Sequence, residues 1–219
     1  MLEEAFSAFV TLFVTIDPPG LAPLFLALTV GMTRAERAQV AVRATVTAFA
    51  VLLLFAVAGL GILSIFGITI HAFRIAGGVL LFYIAFEMIF ERRLDRKEKS
   101  AEMARADHVR NIAVFPLAIP LIAGPGAISA TILLSGTYAN LPERLILILI
   151  VAINLAIAWI VFFAADRVEK LLGATGRIVL TRLLGLILAA LAVQFVADGV
   201  LAFARADASS SAIVGAVDR

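Results

Sequence analysis

The stretch Thr15 to Pro23 reads TIDPPGLAP and holds the one charged residue between Ala5 and Val30. Asp17 offers a carboxylate that can meet a substrate ammonium group or a coupling cation. It can equally cap a helix, because Asp is a favoured N-cap and Pro18 stands at the favoured first helical position. Pro18, Pro19 and Gly20 add a backbone chemistry. Proline has no N–H and collides with the preceding turn, so two in a row interrupt a helix. A half-helix starting at such a break presents free N–H groups and a positive dipole end, which suit a carboxylate. A second interruption lies at Gly124, Pro125 and Gly126, in LIAGPGAI, with Ala123 where the first has Asp17. One break can therefore receive a cation and the other an anion, and a zwitterionic amino acid needs both. Ser129, Thr131 and Thr15 lie within a turn or two of the breaks and either line this site or bond their own helix backbone.

These groups sit in a chain built for lipid. Of its 219 residues, 63% are hydrophobic and 16% charged, against roughly half and a quarter in a soluble domain. Uncharged runs cover Ala44 to Ile70, Asn111 to Pro142 and Leu145 to Ala165, which are 27, 32 and 21 residues. About 20 apolar residues cross the hydrocarbon core as a helix. The sequence predicts an all-α polytopic membrane protein with six spans, near Ala5–Val30, Ala44–Ile65, His71–Phe90, Asn111–Tyr138, Leu145–Ala165 and Ile178–Ala204. Both breaks then fall inside spans, where freed backbone groups must find partners in protein or water. The first segment opens with Glu3 and Glu4 rather than positive charge, so it is expected to be retained and not cleaved as a signal. There is no cysteine, which removes disulfides and thiolate metal sites.

Six spans place both termini on one side. That side holds Arg74, Arg144, Arg205 and Arg219, while the other holds the remaining fourteen basic residues. The positive-inside rule makes the richer side cytoplasmic and both termini extracytoplasmic. It also accounts for the basic residues without a nucleic-acid partner. The loop from Glu91 to Arg110 carries seven basic and five acidic residues and reads as a solvated connector that fixes topology, or else as a regulatory linker.

A shift of 106 residues lays TIDPPGLA over LIAGPGAI, with Ile16 on Ile122, Pro19 on Pro125 and Gly20 on Gly126. Two residues further, FRIAGGVLL meets TRLLGLILA, pairing Arg74 with Arg182 and Gly77 with Gly185. The expected organisation is a three-helix unit over 1–95, a charged cytoplasmic linker over 96–111, a second three-helix unit over 112–205 and a flexible tail over 206–219. An odd number of spans per unit inverts the second copy, a plan found in secondary transporters.

Other polar residues in the spans divide between structure and site. Asn154 is either interhelical glue or a substrate contact. Gln194 and Asp198 are four apart and share a helix face. Arg74 and Arg182 either snorkel to the interface or take a gating role by pairing with a carboxylate or with freed carbonyls. Gly77, Gly78 and Gly185 allow close helix packing.

The segments IDPPGLAPLFLALT, FRIAGGVLLFYIAFEMI, FPLAIPLIAGPGAIS and RLLGLILAALAVQFVADGV, in this order and spacing, resemble the MarC family of six-span bacterial inner-membrane proteins over roughly Ala5 to Val200. Some relatives in that family are described as small neutral amino-acid transporters, and the family is grouped with amino-acid exporters. The resemblance implies a bacterial inner-membrane secondary transporter in the lipid bilayer, acting by alternating access on a small-molecule substrate. The candidate substrate site comprises Asp17, Pro19, Gly20, Gly124, Pro125, Gly126, Ser129 and Asn154, with Arg74, Arg182 and Gln194 as structural or gating residues. A proton, sodium or the substrate gradient itself would drive it, and a homo-oligomer stays open. Members often carry Asn-Pro-x-Gly where this chain has Asp17 to Gly20, which weighs against an essential titrating role for Asp17. No enzyme motif, metal cluster or cofactor pattern is present, so neither catalysis nor a cofactor is expected. The rival readings are a non-transporting membrane scaffold and a carrier of another small metabolite. A polar cavity between the breaks favours transport, and a fully packed interior favours the scaffold.

Overall fold

The computed structural model describes residues 2–93, 96–97 and 112–217, with side chains described as far as Arg205. Among these residues every regular element is a helix. The elements are α1 (Leu2–Ile16), α2 (Pro18–Leu28), α3 (Arg34–Ile65), α4 (Ile70–Ile89), α5 (Ala113–Ile122), α6 (Pro125–Thr137), α7 (Leu141–Phe163) and α8 (Ala165–Val217). Leu2–Leu28, Arg34–Ile65, Ile70–Ile89, Leu141–Phe163 and Ala165–Arg205 are each long and apolar enough to cross a membrane. The bent pair α5–α6, with 58° between its halves, makes a sixth if it is one span. The protein is an all-α polytopic membrane protein. Of the linker expected over 96–111, residues 98–111 lie outside the described residues. The flexible tail expected from Ala206 concerns residues whose side chains are not described, although the backbone of α8 is helical to Val217.

Several helices begin earlier than their apolar runs. α3 starts ten residues before Ala44 because Thr33 and Glu36 form a capping box, with Thr33 N–H to Glu36 Oε2 at 2.7 Å and Glu36 N–H to Thr33 Oγ1 at 3.3 Å. Asn140 N–H likewise donates to Glu143 at 3.3 Å and starts α7 ahead of Leu145. Hydropathy marks where a helix meets lipid, whereas caps mark where it begins. α8 starts at Ala165 rather than Ile178 and is kinked at Gly173, which takes φ 59°. α5 is a wide, irregular turn: Phe115 and Ile119 are extended, each directly before a proline, the conformation that a following proline imposes.

The distribution of side chains is inverted relative to a soluble protein. Leu54, Phe82, Leu149, Ile160, Leu183 and Val193 point outward and exposed, while Thr11, Thr15, Asp17, Glu87, Arg93, Lys97 and Asn154 are buried. Lipid covers the first set without cost, and the second must be satisfied inside. Most buried hydroxyls do so locally: Thr11, Thr29 and Thr45 each donate to the carbonyl four residues back at 2.8–2.9 Å.

α4 and α8 form the most extensive helix pair. α3 packs on α5 and α6 while α7 packs on α1 and α2, and α4 meets α6 while α8 meets α2. The α4–α8 approach depends on glycine, as expected of Gly78 and Gly185. A Cβ at Gly78 would lie 2.9 Å from the Ala192 carbonyl oxygen, and one at Gly185 would lie 3.1 Å from that of Ala85. Gly61, in α3, has open space around it. We expect Gly78→Val to lower the stability of the purified protein by about 1–3 kcal/mol through overpacking. Gly61→Ala should leave it unchanged or raise it by roughly 0.5–1 kcal/mol. Thermal unfolding in detergent checks both, and equal effects at the two glycines would contradict this packing.

Candidate functional site

The first break is built by its sequence residue by residue. In a continuous helix the Val14 and Thr15 carbonyls would accept from the N–H groups of residues 18 and 19, but both are proline. α1 therefore ends at Ile16, and Asp17 takes a left-handed conformation, φ 58° and ψ 62°. Asp and Asn are among the few non-glycine residues that visit this region. From there Asp17 caps α2: Gly20 N–H donates to its Oδ1 at 3.1 Å, and Leu21 N–H donates to its carbonyl at 3.1 Å. The capping reading of Asp17 is thus realised. A side chain at position 20 would not fit this cap, since a Cβ at Gly20 would overlap the Asp17 carboxylate.

Asp17 is not alone at the break, as its isolation among uncharged residues suggested. α4 ends at Ile89, Phe90 N–H closes the last turn on Phe86 O at 3.0 Å, and Glu91 takes φ 63°. The left-handed residue turns the chain back onto the bundle. Arg93 and Lys97, expected on a solvated connector, are instead buried, at 6% and 7% exposure. The Arg93 guanidinium donates to the Thr15 carbonyl, the acceptor whose helical donor Pro19 removed, and to Met88 Sδ at 3.0 Å. Lys97 Nζ donates to Asp17 Oδ2 at 3.2 Å. Arg96 pairs with buried Glu87 at 2.9 Å. Burial, and then the neighbouring Arg93 charge, push the Lys97 ammonium down to about 8, against the pull of Asp17. The signal that marks these two cations is their spacing, four residues apart just past a helix end. A carboxylate buried at a break also calls for a counter-charge within reach.

At the second break α6 begins with Pro125, and Gly124 caps it with no side-chain bond. Its N-terminus thus lacks the carboxylate that α2 has. A cavity of about 250 Å³ lies between the breaks, lined by Thr15, Ile84, Arg93, Arg96, Lys97, Pro120, Leu121 and Gly124 through Ala127. One enclosed water needs about 10–15 Å³, so the cavity has room for a small solute. Next to it, a space of about 20 Å³ is lined by Asp17, Gly20, Glu87, Glu91, Arg93, Lys97 and three residues of α8. The larger cavity is cationic: Arg96 and Lys97 each have a carboxylate partner, Arg93 bonds neutral acceptors, and the positive end of the α6 dipole adds to it.

Of the remaining sequence-predicted residues only Thr15 lines this cavity among the described residues. Pro19 shapes the break without lining it. Ser129 is buried against Gly77 of α4. Thr15 and Thr131 hydroxyls donate to Thr11 O at 2.8 Å and Ala127 O at 2.7 Å, in their own helices. Asn154 is fully buried and its Nδ2 donates to Ile150 O at 3.0 Å and to Phe9 O of α1 at 3.5 Å, joining α7 to α1. Arg74 reaches Thr137 at the end of α6 at 3.5 Å, Arg182 pairs with Glu91, and Gln194 donates to Asp198 at 2.8 Å on an exposed face.

Comparison with known proteins adds the lineage. The family model described as MarC family integral membrane protein matches residues 2–204. A UPF0056 membrane protein of Methanocaldococcus jannaschii is 38% identical over 202 residues, which are 91% of this chain and 97% of the relative. The UPF0056 membrane protein YvbG of Bacillus subtilis is 36% identical over 196 residues, 87% of this chain and 91% of the relative. YhcE of Escherichia coli, of the same description, is 35% identical over 195 residues, 89% of this chain and 91% of the relative. No solved structure matches the chain.

The geometry orders the effects of substitution at the first break. Asp17→Ala removes the cap and leaves Lys97 buried without a counter-charge, and is expected to cost about 3–5 kcal/mol. Asp17→Asn keeps an acceptor for Gly20 N–H and tolerates positive φ, so it should retain roughly 1 kcal/mol of that. Arg93→Met strands the Thr15 carbonyl, at a cost of about 1–3 kcal/mol. Thermal unfolding in detergent reads all three. An Asp17→Ala protein within about 0.5 kcal/mol of wild type would contradict this description of the break.

Proposed function

The chain belongs to the MarC family of integral membrane proteins, and from that footing we propose that it is a secondary transporter of small neutral amino acids. The observation that carries the reading is the 250 Å³ cavity at the junction of the two broken helices, with polar and charged walls. A scaffold has no use for such a space at the depth where backbone breaks are costly, whereas transporters place substrate sites there. A substrate carboxylate fits the uncapped N-terminus of α6 together with the Arg93 guanidinium. The ammonium group is directed to Asp17, the carboxylate adjoining the same cavity.

The repeat supports alternating access. Exchanging residues 1–95 for 112–205 maps α3 on α6 to α7 on α2, maps α4 on α6 to α8 on α2, and returns the α3–α7 and α4–α8 pairs to themselves. Contacts of each kind occur in the fold. Such reciprocity is what an inverted two-fold arrangement requires, and rocking one three-helix unit against the other would expose the cavity to each side in turn. In this reading the protein lies in the bacterial inner membrane with both termini extracytoplasmic, and a proton or sodium gradient, or the substrate's own, supplies the driving force.

Purified protein in liposomes, loaded with a labelled amino-acid panel under imposed proton and sodium gradients, tests the proposal. Saturable flux of a small neutral amino acid is expected. Gly126→Leu should abolish it, because a Cβ at Gly126 already meets Ile84 at 2.4 Å and a longer side chain would fill the cavity. No flux of any amino acid, with normal incorporation, would favour the scaffold. Flux of other small carboxylates alone would move the substrate class and keep the transport site.

A further inference from the structure

Two spaces meet at the first break, and the same two side chains line both. The larger opens onto Thr15 and the second break, while the smaller, of about 20 Å³, contains the Asp17 carboxylate. Arg93 and Lys97 form the wall between them. The smaller space holds about one water molecule, so a solute in the larger cavity cannot touch Asp17 while this wall stands.

The fold needs the two cations for different reasons. Arg93 supplies the donor that Pro19 took from the Thr15 carbonyl, so the break itself requires it. Lys97 has no such duty. Asp17 already accepts from Gly20 N–H and sits at the positive end of α2. An ion pair drawn out of water adds little net stability beyond its own desolvation cost. What Lys97 does achieve is occupancy: its ammonium rests 3.2 Å from Asp17 Oδ2, in the position a ligand's ammonium would take. It comes from a segment outside the spans, beyond the end of α4, and is anchored to the spans by side-chain contacts.

We propose that Lys97 is a tethered stand-in for the substrate's ammonium group, closing the Asp17 subsite when the cavity is empty and leaving it, ammonium for ammonium, when an amino acid binds. The proposal rests on the transport reading for the identity of the incoming group. The exchange keeps one cation on Asp17 in both states, so the buried carboxylate is never stranded and the empty site offers no bare charge to small cations. It also lets a residue beyond the end of α4 control a site at the first break.

Carbodiimide chemistry tests this without a substrate. In wild-type protein the reagent should join Asp17 to Lys97 as an amide, detected as a linked peptide by mass spectrometry, and its absence overturns the pairing without any variant being needed. With methylamine as the added amine, Lys97→Gln should raise labelling of Asp17 by about tenfold, as expected when a closed state no longer competes. Lys97→Arg, which keeps the cation but cannot be coupled, should stay at the wild-type level. Labelling of Lys97→Gln within about twofold of wild type overturns the stand-in. In liposomes the same Lys97→Gln substitution should lower the apparent KM for the transported amino acid by about tenfold. Raised labelling with no flux of any amino acid overturns the transport reading and leaves Lys97 as the closure of Asp17. Flux with unchanged labelling overturns the stand-in alone.

Discussion

A proline within a membrane-spanning helix leaves a carbonyl without its donor, and hydrocarbon supplies no replacement. In this chain Pro18 and Pro19 impose that condition on Val14 and Thr15, and the arrangement of the site follows from meeting it. Asp17 must turn the backbone through a left-handed conformation and cap what comes next. The Thr15 carbonyl must be met from elsewhere, and the guanidinium of Arg93 meets it. Bringing Arg93 in requires the chain to reverse after α4, which Glu91 does at φ 63°. Lys97, four residues on, then arrives beside the Asp17 carboxylate.

The two breaks answer the same constraint with opposite electrostatics. α2 begins on an acidic cap that is itself neutralised by a lysine. α6 begins on a glycine, with its dipole end open to the cavity and cations across from it. Two similar backbone devices thus place a carboxylate at one break and an uncapped helix N-terminus at the other, on adjoining spaces. Around them the bundle is held by α3 on α5 and α6, α7 on α1 and α2, and α4 on α8, with glycines setting the closest approach between α4 and α8.

Much of this was legible in the sequence. The uncharged runs gave the helical membrane class, and Pro-Pro-Gly and Gly-Pro-Gly located both breaks. Asp before Pro announced the cap, and Gly78 and Gly185 announced the tight packing. Helix starts were missed at α3, α7 and α8 because a hydropathy reading marks the lipid-facing run, whereas α3 and α7 begin at their caps Thr33 and Asn140 and α8 begins at Ala165, ahead of a kink at Gly173. The larger omission was Arg93 and Lys97. They stand in a run of mixed charge that resembles any solvated connector, and their burial depends on a single left-handed residue after α4. Asn154, read as interhelical glue or a substrate contact, joins two helices, since its neighbours Ile150 and Phe9 offer carbonyls close by. Composition shows that a polar residue needs a partner; only the fold shows which one it finds.

The central claim is that a linker cation and a break carboxylate form one buried unit. A double-mutant cycle over Asp17→Asn, Lys97→Gln and the double variant, read by thermal unfolding of the purified protein, measures their coupling directly. Strong non-additivity is expected, with the double variant more stable than the two single costs imply by about 1–3 kcal/mol. Additive effects, within about 0.3–0.5 kcal/mol, would mean the two side chains do not interact and would contradict it.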